Sequence, residues 1–455
     1  MKGKMISVFV AAQMIWAALG CSNPPASRNP QATLEAFPAR VGPAGGTAYN
    51  VPHEETSHLG ENPTLSDYLR VAALNNAGLR AAFEQWRIAV EQVPRTQSRP
   101  DPKLTYGYFI EEVETRVGPQ RNRLEIMQMF PWFGEIEART DAAAAVAKAA
   151  RERYETAKLR LFFEVKDAFH EYAYLASALE IARENLELVK HFEEVARTKY
   201  MTAAVGHPDV IRAQMELAKL EDQLKTLEDL RVPLVARLNA ALNRQSFDLL
   251  PWPDKEELHT GEVSRQRVVE LLRARNPELK ALNFDLEAAR SRERLAKKQF
   301  WPDIGVGVGW TDTGSAMNPG VRDSGKDPII LMFTMNVPIW REGYKAAELQ
   351  AKANVRKTAQ QRREVENQII ARAEQALYDF EDSKRKMKLY GDVLVPKAEE
   401  LLGASETAYR AGTVDFLSLI NAQQKLLEFQ LRYERAVADS QQRRAELEML
   451  VGAEL

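Results

Sequence analysis

The sequence predicts a mainly α-helical fold with a small membrane β part, built from two internal repeats per chain. Three observations predict it. Two stretches of about 69 residues carry apolar residues at the 3.5-residue period of coiled helices. Four segments of about ten residues alternate apolar with small or polar residues, the pattern of strands that have one apolar face. The same motifs recur in the same order about 200 residues apart.

The composition excludes several classes of function. The 455 residues include 62 Lys and Arg against 64 Asp and Glu, which gives a formal net charge of −2. Nucleic acid is therefore not an expected partner, because phosphate binding needs a cationic excess. The one cysteine, Cys21, excludes internal disulfides and cysteine-cluster metal sites.

Residues 1–20 have the layout of a secretory signal. Two lysines precede an apolar run that ends at Leu19, and Cys21 follows at the expected cleavage point. This arrangement predicts a bacterial lipoprotein whose mature chain begins at a lipidated Cys21. The alternative is an ordinary signal followed by an incidental free thiol. Residues 21–62, rich in Pro, Ala, Gly, Ser and Asn, are predicted to form the lipidated linker.

Two repeats of matching layout follow, the first over 63–260 and the second over 261–455. In the first repeat, the two strands, the long helix and the return helix are predicted at about 103–112, 121–130, 136–204 and 208–243. In the second repeat, the corresponding elements are predicted at about 303–312, 328–337, 343–411 and 415–451.

Individual motifs support this duplication. The segments RPDPKLTYGY and WPDIGVGVGW share a Pro-Asp pair before their alternating residues. The segments KYMTAAVGHPDVIRAQMEL and AYRAGTVDFLSLINAQQKL align without a gap, so that Tyr200 pairs with Tyr409 and Gln214 with Gln423. Because both follow a long helix, they are predicted to be equivalent turns.

The long helices carry a coiled-coil seam. Nine apolar positions of the first helix step by four and three residues in turn: Leu161, Val165, Ala168, Tyr172, Leu175, Leu179, Ala182, Leu186 and Val189. The second helix keeps the pattern more loosely: Ile370, Ala373, Leu377, Phe380, Met387, Leu394, Ala398 and Leu401. Pro396 predicts a kink there, because proline removes a helix hydrogen bond and clashes with the preceding turn.

The four strands predict a sheet that is incomplete in one chain. In the third strand the apolar residues face one way: Ile304, Val306, Val308 and Trp310. Its glycines face the other way: Gly305, Gly307 and Gly309. Four strands leave two open edges, whose unpaired amides are not tolerated in hydrocarbon. The sequence therefore requires either a water-soluble sheet or an oligomer that closes a barrel.

From about Thr64 to its C-terminus, the chain resembles the TolC family of outer-membrane efflux proteins, the outer membrane factors. The resemblance rests on the duplication, on prolines that flank the strands, on the two turns and on the Ala-Gln pairs that follow them. The prolines are Pro100, Pro131, Pro302 and Pro338. Cys21 resembles the lipidated cysteine of the family's lipoprotein branch.

This resemblance implies a trimeric 12-stranded outer-membrane β-barrel continued by a 12-helix periplasmic α-barrel. It places the chain in the outer membrane of a Gram-negative-type bacterium, lipid-anchored and extending into the periplasm. It implies a homotrimer in contact with outer-membrane lipid, a periplasmic adaptor (membrane fusion) protein and an inner-membrane efflux pump.

The resemblance also implies roles for the two turns. They become periplasmic tips that contact the adaptor, through Tyr200, Gly206, Pro208, Tyr409, Gly412 and Thr413. Family members often carry acidic residues at positions that align here with Ser418 and Asn421, which are uncharged. Asp209 and Asp415 are the substitutes expected at the constriction.

The predicted function is a passive outer-membrane channel of a tripartite efflux system, exporting substrates such as heavy metals or drugs. The alternatives are a duct for type I protein secretion and a structural periplasmic coiled-coil lipoprotein without a pore. No catalytic constellation, cofactor motif or metal-ligand spacing indicates an enzyme. Four methionines cluster around the strands, and strand packing explains them more simply than soft-metal passage: Met127, Met129, Met332 and Met335.

Overall fold

A computed structural model describes residues 59–60, 63–253, 261, 263–318 and 320–455. The predicted signal, the lipidation site at Cys21 and all of the predicted linker except two residues lie outside the described residues. The description below therefore concerns the two halves that follow the linker.

Nine α-helices, four strands and one π-helical segment make up the described regions. In the first half the elements are α1 (Leu65–Asn75), α2 (Ala77–Gln97), β1 (Lys103–Thr115), β2 (Gly118–Phe130), α3 (Glu135–Met201) and α4 (His207–Leu242). In the second half they are α5 (Arg265–Arg275), α6 (Pro277–Lys298), β3 (Ile304–Thr313), β4 (Ile329–Met335), α7 (Arg341–Leu389), the π segment (Tyr390–Leu394), α8 (Val395–Ala411) and α9 (Phe416–Val451). Both halves thus follow the same order of helices and strands.

Two asparagines connect the short helices of each half to its return helix. Asn76 caps α2 by accepting the Leu79 amide at 2.9 Å, and its side-chain amide donates to the Ala241 carbonyl at 3.0 Å. Asn276 caps α6 in the same way, and its side-chain amide donates to the Leu450 carbonyl at 2.8 Å. Each asparagine therefore bonds a backbone amide at the start of one helix and a backbone carbonyl at the end of another. Neither group has a partner within its own helix.

The 67-residue helix α3 is the central helix of the fold and extends about 100 Å at 1.5 Å per residue. All nine seam positions predicted for it are buried. Four helices pack side by side near the sheet, in the order α2, α3, α6 and α7. Near the turns, four helices also pack side by side, in the order α4, α3, α9 and α7–α8. Among the described residues, no helix combines the length and the apolar composition needed to cross a membrane.

The second long helix is not continuous, unlike the single helix predicted over 343–411. The π segment Tyr390–Leu394 interrupts it one turn before Pro396, whose missing N–H cannot serve an α-helical turn. After the π segment, Ala398 is buried as predicted, whereas Leu401, also predicted in the seam, is 50% exposed and Leu402 is buried.

The strands form one antiparallel sheet in the order β1-β2-β3-β4. The hairpin β1–β2 is longer than predicted, because pairing continues to Thr115 and Gly118 at its turn. The strand β4 is shorter than predicted and ends at Met335. Asn336, the next residue, accepts the Asp303 amide through its side chain. Within the described chain, β1 and β4 each pair along one side only.

Candidate functional site: the two faces of the sheet and the helical tips

One face of the sheet is apolar and exposed. On the outer strands its residues are Leu104, Tyr106, Tyr108 and Ile110 of β1 and Ile329, Leu331, Phe333 and Met335 of β4. Ile110 is 91% exposed and Phe333 is 73% exposed. A contiguous apolar surface of this kind marks a contact with lipid or with another protein.

The opposite face carries the three glycines of β3 beneath side chains from the neighbouring strands. A Cβ atom at Gly307 would lie 2.8 Å from the Ile126 carbonyl oxygen and 3.2 Å from the Met127 methyl carbon. At Gly309 the nearest atom, Cγ of Glu125, would be 3.4 Å away, which is ordinary contact. The glycines therefore make room for larger neighbours, as expected for close approach within a sheet.

Aromatic residues surround the junction between the strands and the long helices. Trp132 and Trp301 stack with ring centroids 5.0 Å apart, which ties the end of β2 to the start of β3. Two further aromatic residues at this junction, Phe133 and Trp340, are 79% and 81% exposed. Tryptophan and other aromatic side chains favour the interface between hydrocarbon and water, so this junction suits a membrane boundary.

The turns at the far ends of the long helices have the same backbone geometry. After α8, the Gly412 amide donates to the Tyr409 carbonyl at 3.1 Å and the Thr413 amide to the Ala408 carbonyl at 2.9 Å. After α3, Ala203 and the next residue make the equivalent bonds at 2.9 and 2.8 Å. Gly412 has φ +77° and Ala203 has φ +57°, so both turns end in the left-handed region.

We expect Ala203→Gly to stabilise the first turn by about 0.5–1 kcal/mol, because glycine adopts a positive φ without the cost that Cβ imposes. The reverse change at the equivalent position, Gly412→Ala, should cost a similar amount. Thermal unfolding of the two variants measures the difference. A loss of stability in Ala203→Gly would contradict the turn assignment.

Each turn holds a pair of rings, and the two pairs differ in burial. Tyr200 and His207 lie 5.3 Å apart by ring centroids at the first tip, and Tyr200 is 45% exposed. Tyr409 and Phe416 lie 5.4 Å apart at the second tip, and both are buried. Burial raises the pKa of Tyr409 to about 12, and the nearby Asp209 carboxylate adds to the shift. Tyr409 thus supports the second tip from inside, whereas Tyr200 offers its ring to solvent.

The two tips are joined to each other. Lys199 donates its ammonium group to the carbonyl oxygens of Tyr409 and Arg410, the second at 3.1 Å, and lies 4.5 Å from the centre of the Tyr409 ring. The Arg410 guanidinium lies 3.0 Å from His191 Nε2 on α3. An apolar cluster of α3, α4, α8 and α9 residues lies directly above these contacts. Both turns therefore belong to one packed end.

The residues predicted at the constriction have defined structural partners. Asp415 caps α9 by accepting the Ser418 amide at 2.9 Å and the Ser418 hydroxyl at 2.7 Å. These bonds, with the nearby Arg212, lower the pKa of the Asp415 carboxyl. Asp209 pairs with Arg212 at 3.2 Å in the first turn of α4. Ser418 and Asn421 are exposed.

The remaining tip residues shape the turns. Gly206 precedes α4 at the position that Asp415 takes before α9, and it has no side chain to cap the helix. Pro208 stands in the first turn of α4, where its missing N–H costs nothing. The Thr413 hydroxyl donates to the Ala408 carbonyl at 3.0 Å, which closes the end of α8.

A buried polar layer above the tips was not predicted. Gln423, fully buried, donates its side-chain amide to Asn185 Oδ1 at 3.1 Å, and Asn185 donates to Gln430 at 3.2 Å. In the first half the equivalent Gln214 is exposed, and its side-chain amide donates to Glu193 at 3.3 Å. The two glutamines are equivalent in the sequence alignment, but their hydrogen-bond partners on α3 could not be predicted, because the contacts depend on how three helices pack.

A four-stranded sheet with an exposed apolar face, joined to helical hairpins of this length, is typical of outer-membrane channel proteins. The outer membrane efflux protein family matches the chain twice, over residues 69–244 and 268–453. The chain belongs to this family, and the predicted resemblance to the TolC type is confirmed. It is an outer-membrane channel protein and not an enzyme.

Relatives of this chain cover most of its length. Nodulation protein T of Rhizobium leguminosarum bv. trifolii is 22% identical over 408 residues, 86% of each chain. The pyoverdine export outer membrane protein OpmQ of Pseudomonas putida is 22% identical over 414 residues, 85% of each. The solved structure of outer membrane protein VceC of Vibrio cholerae matches with a TM-score of 0.71 at 18% identity, covering 86% of this chain and 96% of that one. This last likeness shows the fold.

Proposed function

We propose that three copies of the chain close a single barrel and form a passive duct across the outer membrane for a tripartite efflux system. The open antiparallel sheet with one apolar face carries the proposal. Neighbouring strands alternate in direction, so β4 of one copy placed beside β1 of the next continues the antiparallel order. Four strands from each of three copies give twelve, an even number within the range of known membrane barrels.

The helices support the same stoichiometry. Each chain supplies four helices side by side at the level near the sheet and four at the level near the tips. Three copies give twelve helices at both levels, enough to continue the barrel as a tunnel. The long helix α3 is about 100 Å long, so such a tunnel reaches well into the periplasm.

The two faces of the sheet have different roles in this assembly. The apolar face contacts lipid, and the glycine face lines the passage, because residues alternate between the two sides of a strand. The exposed rings of Phe133 and Trp340 lie at the periplasmic boundary of the membrane. Acyl chains on Cys21 would add an anchor beside the barrel.

The joined tips are the part that contacts the periplasmic adaptor, and an inner-membrane pump supplies the energy. Exposed residues suited to this contact are Tyr200, Gly206, Pro208, Gly412 and Thr413. Export of small molecules or ions is favoured over protein secretion, since the relative OpmQ is described as a pyoverdine exporter. A structural lipoprotein without a pore would have no use for a sheet with an exposed apolar face.

Disulfide cross-linking between strand edges tests the assembly. In a Cys21→Ser background, one cysteine replaces Thr105 on β1, and a second is placed in turn at Ile330, Met332 and Thr334 on β4. Because β1 and β4 are separated by two strands within one chain, a disulfide between them joins different copies. We expect one pairing to give covalent trimers after oxidation. Monomers at every position would contradict a closed barrel.

We expect Asp209→Asn together with Asp415→Asn to reduce cation selectivity, because six carboxylates near the threefold axis attract cations. Asparagine retains the cap at position 415, so the helix start is preserved. Arg212→Gln should increase selectivity, since it removes the positive charge beside both acids.

Reversal potentials in a salt gradient measure the change. Asp222→Asn, an exposed carboxylate further along α4, is the matched control. If the double variant and the control behave alike, the two acids lie on the outer, solvated face of the tips.

A further inference from the structure

Methionines are concentrated in the sheet and are sorted by face. Four of the twelve methionines in the chain lie within the four strands. Met127 and Met332 are the register partners of Gly307 on its two sides, and Met129 is the partner of Gly305. These three side chains share the glycine face, and Met335 points to the apolar face.

The glycines let the thioether groups lie over the centre of the sheet. The Met129 sulfur would be 2.7 Å from a Cβ atom at Gly305, and the Met127 methyl carbon 3.2 Å from one at Gly307. The Met332 methyl carbon would be 3.5 Å from a Cβ atom at Gly309. Any larger residue on β3 would push these side chains apart.

A carboxylate that forms a salt bridge with Arg123 shares this space. Glu125 Oε1 would be 3.7 Å from the same Cβ position at Gly309 that the Met332 methyl group approaches. Leucine would fill the volume over the glycines as well as methionine does, but only methionine supplies a sulfur ligand. Thioethers select soft monovalent cations such as Cu(I) and Ag(I).

We propose that Met127, Met129 and Met332 provide a row of thioether ligands for soft monovalent metal cations along the glycine face. The proposal rests on the proposed function, in which this face lines the passage. Three copies would then place nine thioethers around one section of the barrel. Thioethers exchange their metal readily, and several weak sites in a row allow an ion to enter and to leave.

Silver ions provide the test. The full-length protein with Cys21→Ser, which removes the only thiol, is inserted into planar bilayers in chloride-free potassium nitrate. Silver nitrate is titrated against the potassium current, and block is expressed relative to each variant's own current. We expect silver to block the Cys21→Ser protein, and Met335→Leu to leave the titration unchanged. Replacing Met127, Met129 and Met332 together with leucine should raise the half-blocking concentration about tenfold or more.

The outcomes separate this proposal from the proposed function. Absence of any potassium current in the Cys21→Ser protein would overturn the duct and the site together. A conducting protein that silver does not block would overturn the site alone. Equal silver sensitivity in the triple variant, or loss of sensitivity in Met335→Leu, would also overturn it. Single replacement of Met332 provides a second variant if the triple variant does not form trimers, and it should shift the titration in the same direction.

Discussion

Gly412→Val should abolish export while trimers still form. Gly412 has φ +77°, a conformation that costs most L-residues about 1–2 kcal/mol and costs a β-branched residue more. A Cβ atom at this position would meet nothing within 4 Å, so the effect comes from the backbone and not from a clash. The sheet and the helical seam lie elsewhere, so we expect assembly not to depend on this turn.

The damage at Gly412 should spread to the other tip. The turn fixes the Tyr409 carbonyl, which accepts bonds from the Gly412 amide and from Lys199 of the first tip. A valine that moves the turn out of the left-handed region therefore also breaks the contact between the tips. The surface proposed to contact the adaptor would then change, and we expect export to stop.

Two controls accompany this prediction. Gly412→Ala should retain export, because Ala203 shows that alanine is accommodated in the same turn. Gly403→Val adds the same bulk at an exposed helical glycine with nothing within 4 Å and should leave export intact. Export is measured as survival in a toxic substrate, with trimers scored by heat-dependent migration on gels. Normal export by Gly412→Val would refute the role of this turn.

Gly307→Ala should weaken the sheet, whereas Gly309→Ala should be tolerated. A methyl group at Gly307 meets a backbone carbonyl oxygen at 2.8 Å, which only a shift of the strand can relieve. At Gly309 the nearest atom would be 3.4 Å away and belongs to a side chain. We expect the trimer of Gly307→Ala to dissociate at a clearly lower temperature than the wild type, by a cost of about 1–3 kcal/mol per chain.

The close contacts over Gly307 also exclude larger side chains. Gly307→Arg would serve as a probe of conductance only if the side chain could enter an open passage. Because the site is already filled, arginine there should prevent trimer formation instead. The temperature at which the trimers of Gly307→Ala and Gly309→Ala dissociate, measured by gel migration after heating, tests this geometry. Equal stability of the two alanine variants would show that the close approach at Gly307 is absent.

The order of the helices and strands and the buried face of α3 could be predicted from the sequence. Both depend only on the spacing of residues within a segment and on the order of the segments. All nine seam positions of α3 are buried, since a 3.5-residue period leaves one face for packing. The equivalence of the two turns also followed from sequence, because a gapless alignment implies the same hydrogen bonds. Ala203 and Gly412 bear this out in their shared left-handed conformation.

Other features depend on packing that a sequence does not display. The sequence did not predict the π segment before Pro396. In α8, Ala398 is buried as predicted, but Leu402 and not Leu401 is buried one turn later. Tyr200 and Tyr409 are equivalent in sequence but opposite in burial, because the second tip carries more of the apolar cluster. No single segment reveals such differences.

Single-channel recording of the purified protein in planar bilayers tests the central claim most directly. If three copies close a barrel around a continuous passage, the protein inserts and gives a uniform, long-lived ion conductance without any pump or adaptor. The size of the current steps is then the same from one insertion to the next. A purified trimer that inserts but never conducts, or a protein that remains monomeric in detergent and gives no steps, would contradict the account of this chain as a duct.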